Sequence, residues 1–184
     1  MEGVALHGDE ADIDLVCEAL VRRLDAADEP LLKRVLDSAI DVLPKLSAGQ
    51  IAFLAMVVYV KSLQVPSAKD IGALEFHAAA LEPLFVAGMA LSRPNVEYLA
   101  GLGLLTINAV SDADQLYSNW SRIYGFPVDQ NVVTSSNSTH VAKLHQAYVA
   151  LRVPTIYLTL MGSVIGLLHL RKKMKNIDIA SFFS

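Results

Sequence analysis

The chain has 184 residues, with 15 Lys and Arg against 19 Asp and Glu, a formal charge of −4 and 53% hydrophobic residues. That length fits one compact domain, and so large an apolar fraction excludes a disordered chain, which has too little apolar surface to offset its ordering entropy. The single cysteine, Cys17, excludes an internal disulfide, and the lack of a charged-then-apolar leader after Met1 sets the expectation of a cytoplasmic protein.

Residues 1–10 carry little apolar pattern and are expected to fray. Ile13, Val16, Cys17, Leu20, Val21 and Leu24 then fall at i, i+3, i+4, i+7, i+8 and i+11, which predicts a helix that buries all six, Cys17 included. Pro30 suits the first turn of a second helix with the stripe Leu32, Val35, Leu36, Ala39, Ile40 and Leu43, ended by Pro44. These two helices are expected to pair as an N-terminal hairpin extension over residues 1–46.

Ser47 and Gln50 make a capping-box pattern, and the apolar run from Ile51 to Val60 that follows predicts the central helix of the domain. Ser67 is expected to cap the next helix, which holds Leu74, Phe76, Leu81, Leu84, Phe85 and Met89 and should kink or break near Pro83. Ser92-Arg93-Pro94 starts a short helix with Val96, Leu99 and Tyr98 inward, closed by Gly101-Leu102-Gly103.

A strand is expected over Leu104 to Val110, then a helix capped at Ser111 to Asp114 with Leu116, Trp120 and Ile123 on one face, and a loop over Val128 to Ser138. Val141, Leu144, Tyr148 and Leu151 predict another amphipathic helix. Thr155 to Thr159 alternates as a strand does, and Thr159 can cap a last helix from Leu160 to about Lys175. The fold class is therefore mostly α, a helical bundle with a small two-stranded β-ribbon. Residues 47–184 form the main body, residues 111–153 an insertion, and the chain is expected to behave as one cooperative unit.

Val153 to Leu168 carries no charge and precedes Arg171, Lys172, Lys173 and Lys175, the pattern of a membrane span with a basic flank. The run falls short of the roughly 20 residues a crossing helix needs, so a strand and a buried helix are expected and membrane insertion is not.

The stretch Ser92-Arg-Pro-Asn-Val-Glu-Tyr-Leu-Ala-Gly-Leu-Gly-Leu-Leu-Thr-Ile107, with Tyr157-Leu-Thr-Leu-Met-Gly162-Ser-Val-Ile165, resembles winged-helix domains, in which a helix ends at "LxxLGLL", two strands pair as a wing and "LTxxGxxI" starts the helix behind them. Together with Leu43-Pro-Lys-Leu-Ser-Ala-Gly-Gln-Ile51 and the closing Ile177-Asp-Ile-Ala-Ser-Phe-Phe183, it is similar to an uncharacterised bacterial family of Abi-alpha-like proteins associated with phage abortive infection. The resemblance implies a winged-helix-like core in a bacterial accessory protein and supplies no active site.

No residue pattern points to catalysis, a cofactor or a metal. Gly101-Leu102-Gly103 lacks the third glycine of a dinucleotide fingerprint and precedes a strand, the reverse of the required order. Ser163 stands directly after Gly162 and so does not make a nucleophile elbow. His140 and His145, five apart, lie about 140° from each other around a helix, whereas zinc ligands sharing one face need i and i+4.

For nucleic acid, the helix at Arg93, Asn95 and Tyr98 offers one cation, with Arg171, Lys172 and Lys173 as a separate basic cluster. An acidic chain has little with which to neutralise phosphates. The mean hydropathy of +0.41 instead suggests apolar surface buried between subunits or against a partner protein. The expectation is a non-enzymatic interaction or oligomerisation domain. A DNA-binding regulator and a membrane-associated abortive-infection effector are the alternatives. Ile177, Ile179, Phe182 and Phe183, too apolar for a free tail, are the candidate interaction residues.

Overall fold

Two helices, α1 (Glu10–Asp25) and α2 (Pro30–Val42), pack against each other at the start of the computed structural model, which describes residues 10–26, 29–63, 65, 68–108, 115–175, 177 and 179. Pro30 occupies the first turn of α2, where its missing N–H costs no helix bond. Leu32, Leu36 and Ala39 are buried, with Val35 and Ile40 half-buried beside them, as the periodicity requires. A 3₁₀ turn, Leu43–Lys45, holds Pro44 and leads to the third helix.

Helix α3 (Ala48–Ser62) starts on a complete capping box. The Gln50 amide donates to Ser47 Oγ at 3.3 Å, and the Ser47 amide donates to Gln50 Oε1 at 2.9 Å. Every residue from Gln50 to Val60 is buried, so α3 is the axis of the core, packed mainly on α4 (Ile71–Met89) and α9 (Leu160–Leu170). The approach of α4 is close enough that a Cβ at Gly88 would overlap the backbone of Ala52 and Phe53. Gly166 of α9 likewise lies against Leu54 and Val58.

Asp70, rather than Ser67, caps α4, accepting from the Ala73 amide at 2.8 Å, and Ser67 itself lies outside the described residues. The helix does not break at Pro83: α4 is continuous from Ile71 to Met89. Pro83 is on its exposed side, so the hydrogen bond it forfeits is lost facing water, where the cost is smallest. Phe76 is 71% exposed.

Helix α5 (Arg93–Gly101) buries Val96 and Leu99 and leaves Tyr98 exposed, against expectation. It ends in a paired bond pattern. The Gly103 amide donates to Ala100 O and the Leu104 amide to Leu99 O, with Gly103 at φ +73°, a conformation that glycine adopts without a Cβ penalty.

Strand β1 (Leu105–Ile107) follows and pairs antiparallel with β2 (Ile156–Leu158) in the register Leu105↔Leu158, Thr106↔Tyr157 and Ile107↔Ile156. Both strands are shorter than the sequence suggested. Between them run α6 (Leu116–Tyr124), α7 (Gln130–Ser135) and α8 (Thr139–Ala150), so the segment expected to be a loop over 128–138 contains a helix. Its missed start signal is Asp129, whose carboxylate accepts from the Val132 amide. The cap expected at Ser111 to Asp114 lies outside the described residues.

The inserted helices are fixed to α3 by one large side chain. Trp120 of α6 is buried against the Tyr59 ring and donates from Nε1 to Val60 O at 3.3 Å. Lys61, at the end of α3, donates to the carbonyls of Val153, Pro154 and Ile156 and lies over the Tyr157 ring, joining α3 to the 3₁₀ turn Val153–Thr155 and to β2. Thr159 caps α9 as expected, accepting from the Gly162 amide while its hydroxyl donates to Gly103 O at 2.8 Å. Helix α9 stops at Leu170, short of the expected Lys175. Among the described residues the fold is mostly helical, nine α-helices and one two-stranded antiparallel sheet.

A candidate interaction surface

Helix α1 has two apolar faces. The inner one is Leu15 and Ala19, buried where α1 meets α2 and α9, and Ala26, just past the end of the helix, is buried too. The outer one is the stripe that the periodicity assigned to the core: Ile13 is 62% exposed, Leu24 73%, and Cys17, Leu20 and Val21 are exposed as well. At about 100° per residue the two faces point about 150° apart. The expected burial of Ile13, Cys17, Leu20, Val21 and Leu24 is thus reversed, and only Val16 is half-buried. The physical reason is the small size of Ala19 and Ala26, which lets α1 lie close to its neighbours where larger side chains would hold it off. A reading weighted by side-chain hydrophobicity chooses the larger residues.

Four charged residues of α1, Glu18, Arg22, Arg23 and Asp25, are engaged along its sides. Arg22 pairs with Glu18 at 3.3 Å and with Asp25 at 3.8 Å, while Arg23 pairs with Asp37 of α2. Glu18 also meets Arg171 at 3.1 Å, tying α1 to the end of α9. None of these pairs crosses the outer apolar stripe.

Of the four tail residues singled out, Ile177 and Ile179 are buried within this same chain. Arg171 donates to Ile177 O, and Ile179 lines a notch with Ala26, Leu32 and Leu36 of the α1–α2 hairpin. Phe182 and Phe183 lie outside the described residues.

The residues named for nucleic acid do not converge. Arg93 pairs with Glu97 at 2.9 Å, Asn95 accepts from Gln50 Nε2 at 2.9 Å and so fastens α5 to the α3 cap, and Tyr98 is exposed over Lys45. Arg171 is engaged by Glu18 beside α1, and only Lys172 and Lys173 next to it are exposed. Arg93 instead borders a cavity of about 490 Å³ whose wall is largely apolar, formed by Leu91, Val96, Ile107, Leu151 and Ile156 with Arg152.

A polar cluster that sequence reasoning missed joins α4 to α8. Glu75 accepts from the amides of His140 and Val141 at the start of α8 and from His140 Nδ1 at 2.6 Å. Glu82 meets His140 Nε2 at 3.0 Å and Lys143 at 2.8 Å. Burial pushes the Glu75 carboxyl up, but these hydrogen bonds and the histidine outweigh it and hold it below the usual carboxylate range. No local signal marked the cluster: Ser138 stands at the N-cap but makes no side-chain cap bond, and Glu75 of α4 meets the first donors of α8 instead.

Among the described residues no group of three or more His, Cys, Asp or Glu side chains is placed to hold a metal. Helix α4 is long and apolar enough to cross a membrane by length and composition, whereas α9, the element within the run that resembled a span, has 11 residues. No curated protein and no solved structure matches the chain in sequence or fold searches. A family model does match over residues 1–127, from α1 through α6, and the chain belongs to that uncharacterised family.

Proposed function

We propose that the protein is a non-enzymatic interaction or oligomerisation module of bacterial cytoplasm, and that α1 presents its contact surface. The outward face of α1 carries this reading: a helix already anchored by Leu15, Ala19 and Ala26 displays a second continuous row of large apolar side chains to solvent. Such a row costs solubility unless a protein surface covers it. Within the body, the order α5, β1, β2, α9 supports a winged-helix-like core whose wing connection has grown into three helices. The use of Asn95 in packing and of Arg93 in an ion pair favours protein contact over DNA reading.

Light scattering at micromolar concentration, with affinity capture from a bacterial lysate, tests the proposal. A larger mass than the monomer, or capture that Leu20→Glu abolishes without lowering the melting temperature, is expected. A strict monomer that recovers no partner overturns it.

A further inference from the structure

We infer that the cavity between α5, the end of the β1–β2 ribbon and the end of α8 binds a small amphipathic carboxylate, an apolar body that ends in a carboxylate group. The inference goes beyond the contact surface on α1 and does not depend on it. The cavity measures about 490 Å³, the size of a small-molecule site, and its wall is largely apolar. Val96 and Ile156 are buried parts of that wall, Leu91 and Leu151 are half-buried, and Ile107 is exposed. A ligand that fills the space needs an apolar body to match them.

Charge sets the other end of the ligand. Both ionisable residues lining the cavity are arginines, Arg93 and Arg152, and among the described residues no carboxylate lines it. Arg93 is engaged through Nε by Glu97 of its own helix, in a pair that stands mostly in water. The anion is therefore assigned to Arg152, which has no ion-pair partner among the described residues. A guanidinium offers parallel N–H groups that match the two oxygens of a carboxylate.

The backbone at the same residue is an independent sign. Arg152 takes φ +52° and ψ 39°, in the left-handed region. The other described non-glycine residue at positive φ is Asn137, and an asparagine tolerates that conformation. An arginine does not, and strain of this kind persists only where neighbouring contacts fix it, which is common at ligand clamps. Here the contacts are present. Lys61 donates to the carbonyls of Val153, Pro154 and Ile156, and the Thr155 amide and hydroxyl both donate to Arg152 O, at 3.0 and 2.8 Å. The Asn108 amide donates to Thr155 O at 2.7 Å. The turn is thus tied to α3 and to the end of β1, and residue 152 is held at the cavity before any ligand arrives, which lowers the ordering cost of binding.

Isothermal titration calorimetry of the full chain with octanoate tests the site, against octan-1-ol and octylamine, which share the chain length and lack the negative charge. Octanoate should bind once per chain and at least about tenfold more tightly than either, as a charge-assisted hydrogen bond to the carboxylate requires. Arg152→Asn removes the cation and accepts the left-handed backbone. It should melt no lower than the parent and bind octanoate no better than octan-1-ol. Ala150→Trp, at an exposed position on the cavity wall, should block both ligands.

Leu20→Glu should leave octanoate binding unchanged, which keeps this site apart from the α1 face. Octanoate binding that is lost in Leu20→Glu and kept in Arg152→Asn would place the ligand on α1 and overturn the inference. Equal affinity of the parent for octanoate and octan-1-ol, or no binding of octanoate, overturns it as well, and either result leaves the reading of α1 to its own test.

Discussion

Two titratable side chains should set the acid stability of the protein. His169 is largely buried on α9. Its Nε2 lies 3.3 Å from Leu84 O and so carries the proton, its Nδ1 has no partner, and burial together with the Lys172 charge pushes its pKa down to about 4. The unfolded chain, with a histidine near 6.5, binds a proton that the folded chain refuses, so stability is full above pH 6.5 and declines as the pH falls toward 4. The loss should reach about 2 kcal/mol by about pH 4.5, allowing for partial exposure. Melting curves across that window should flatten in His169→Gln.

Glu75 acts at lower pH and in the same sense, because its depressed carboxyl must be protonated on acidification. At neutral pH Glu75→Ala should cost about 2 to 3 kcal/mol by urea denaturation, since it strips charge-assisted bonds from two backbone amides and a histidine, and Glu75→Gln should cost less. Neither residue's partners were announced in the sequence. Their partners lie on other helices, and local spacing carries no information about such meetings.

Among the elements, α3 was the most legible because its burial is complete. When every face is covered, no choice between faces has to be made, and Ser47 with Gln50 marks the start by local chemistry alone. Its neighbours press on it closely enough to test. Gly88→Ala should destabilise by about 1 to 3 kcal/mol or more, because a methyl there meets backbone, which has no rotamer to yield. Leu54→Asp and Val57→Asp should prevent folding outright by burying an unpaired carboxylate, and native-like circular dichroism from either would contradict the core assignment.

Helix α1 was legible as a helix and illegible in its orientation, since it carries two apolar rows and the smaller one won. The strands shrank for a related reason. β-propensity marked the whole run around each strand, but only the three residues that find a partner across the ribbon are in ladder register.

For the molecule as a whole, the decisive contacts join segments far apart in sequence. Ile177 and Ile179 are buried, Ile179 beside the α1–α2 hairpin, so deleting 176–184 should remove about 3 to 6 kcal/mol of gross apolar burial and lower the melting temperature, which differential scanning calorimetry would read directly. An unchanged melting temperature would mean that the two isoleucines add nothing net of their ordering entropy.

The same closure bears on how the chain reaches its fold during synthesis. The hairpin leaves the ribosome early, yet the inner faces of α1 and α2 are covered by α9, which is made near the end. Until then the inner row of α1 is covered by α2 alone, and the hairpin face that α9 will close is a target for chaperones and for the wrong neighbours on a polysome. Native packing of α1 therefore waits for the last helix, and folding should be late and cooperative, with long-range contacts setting its rate.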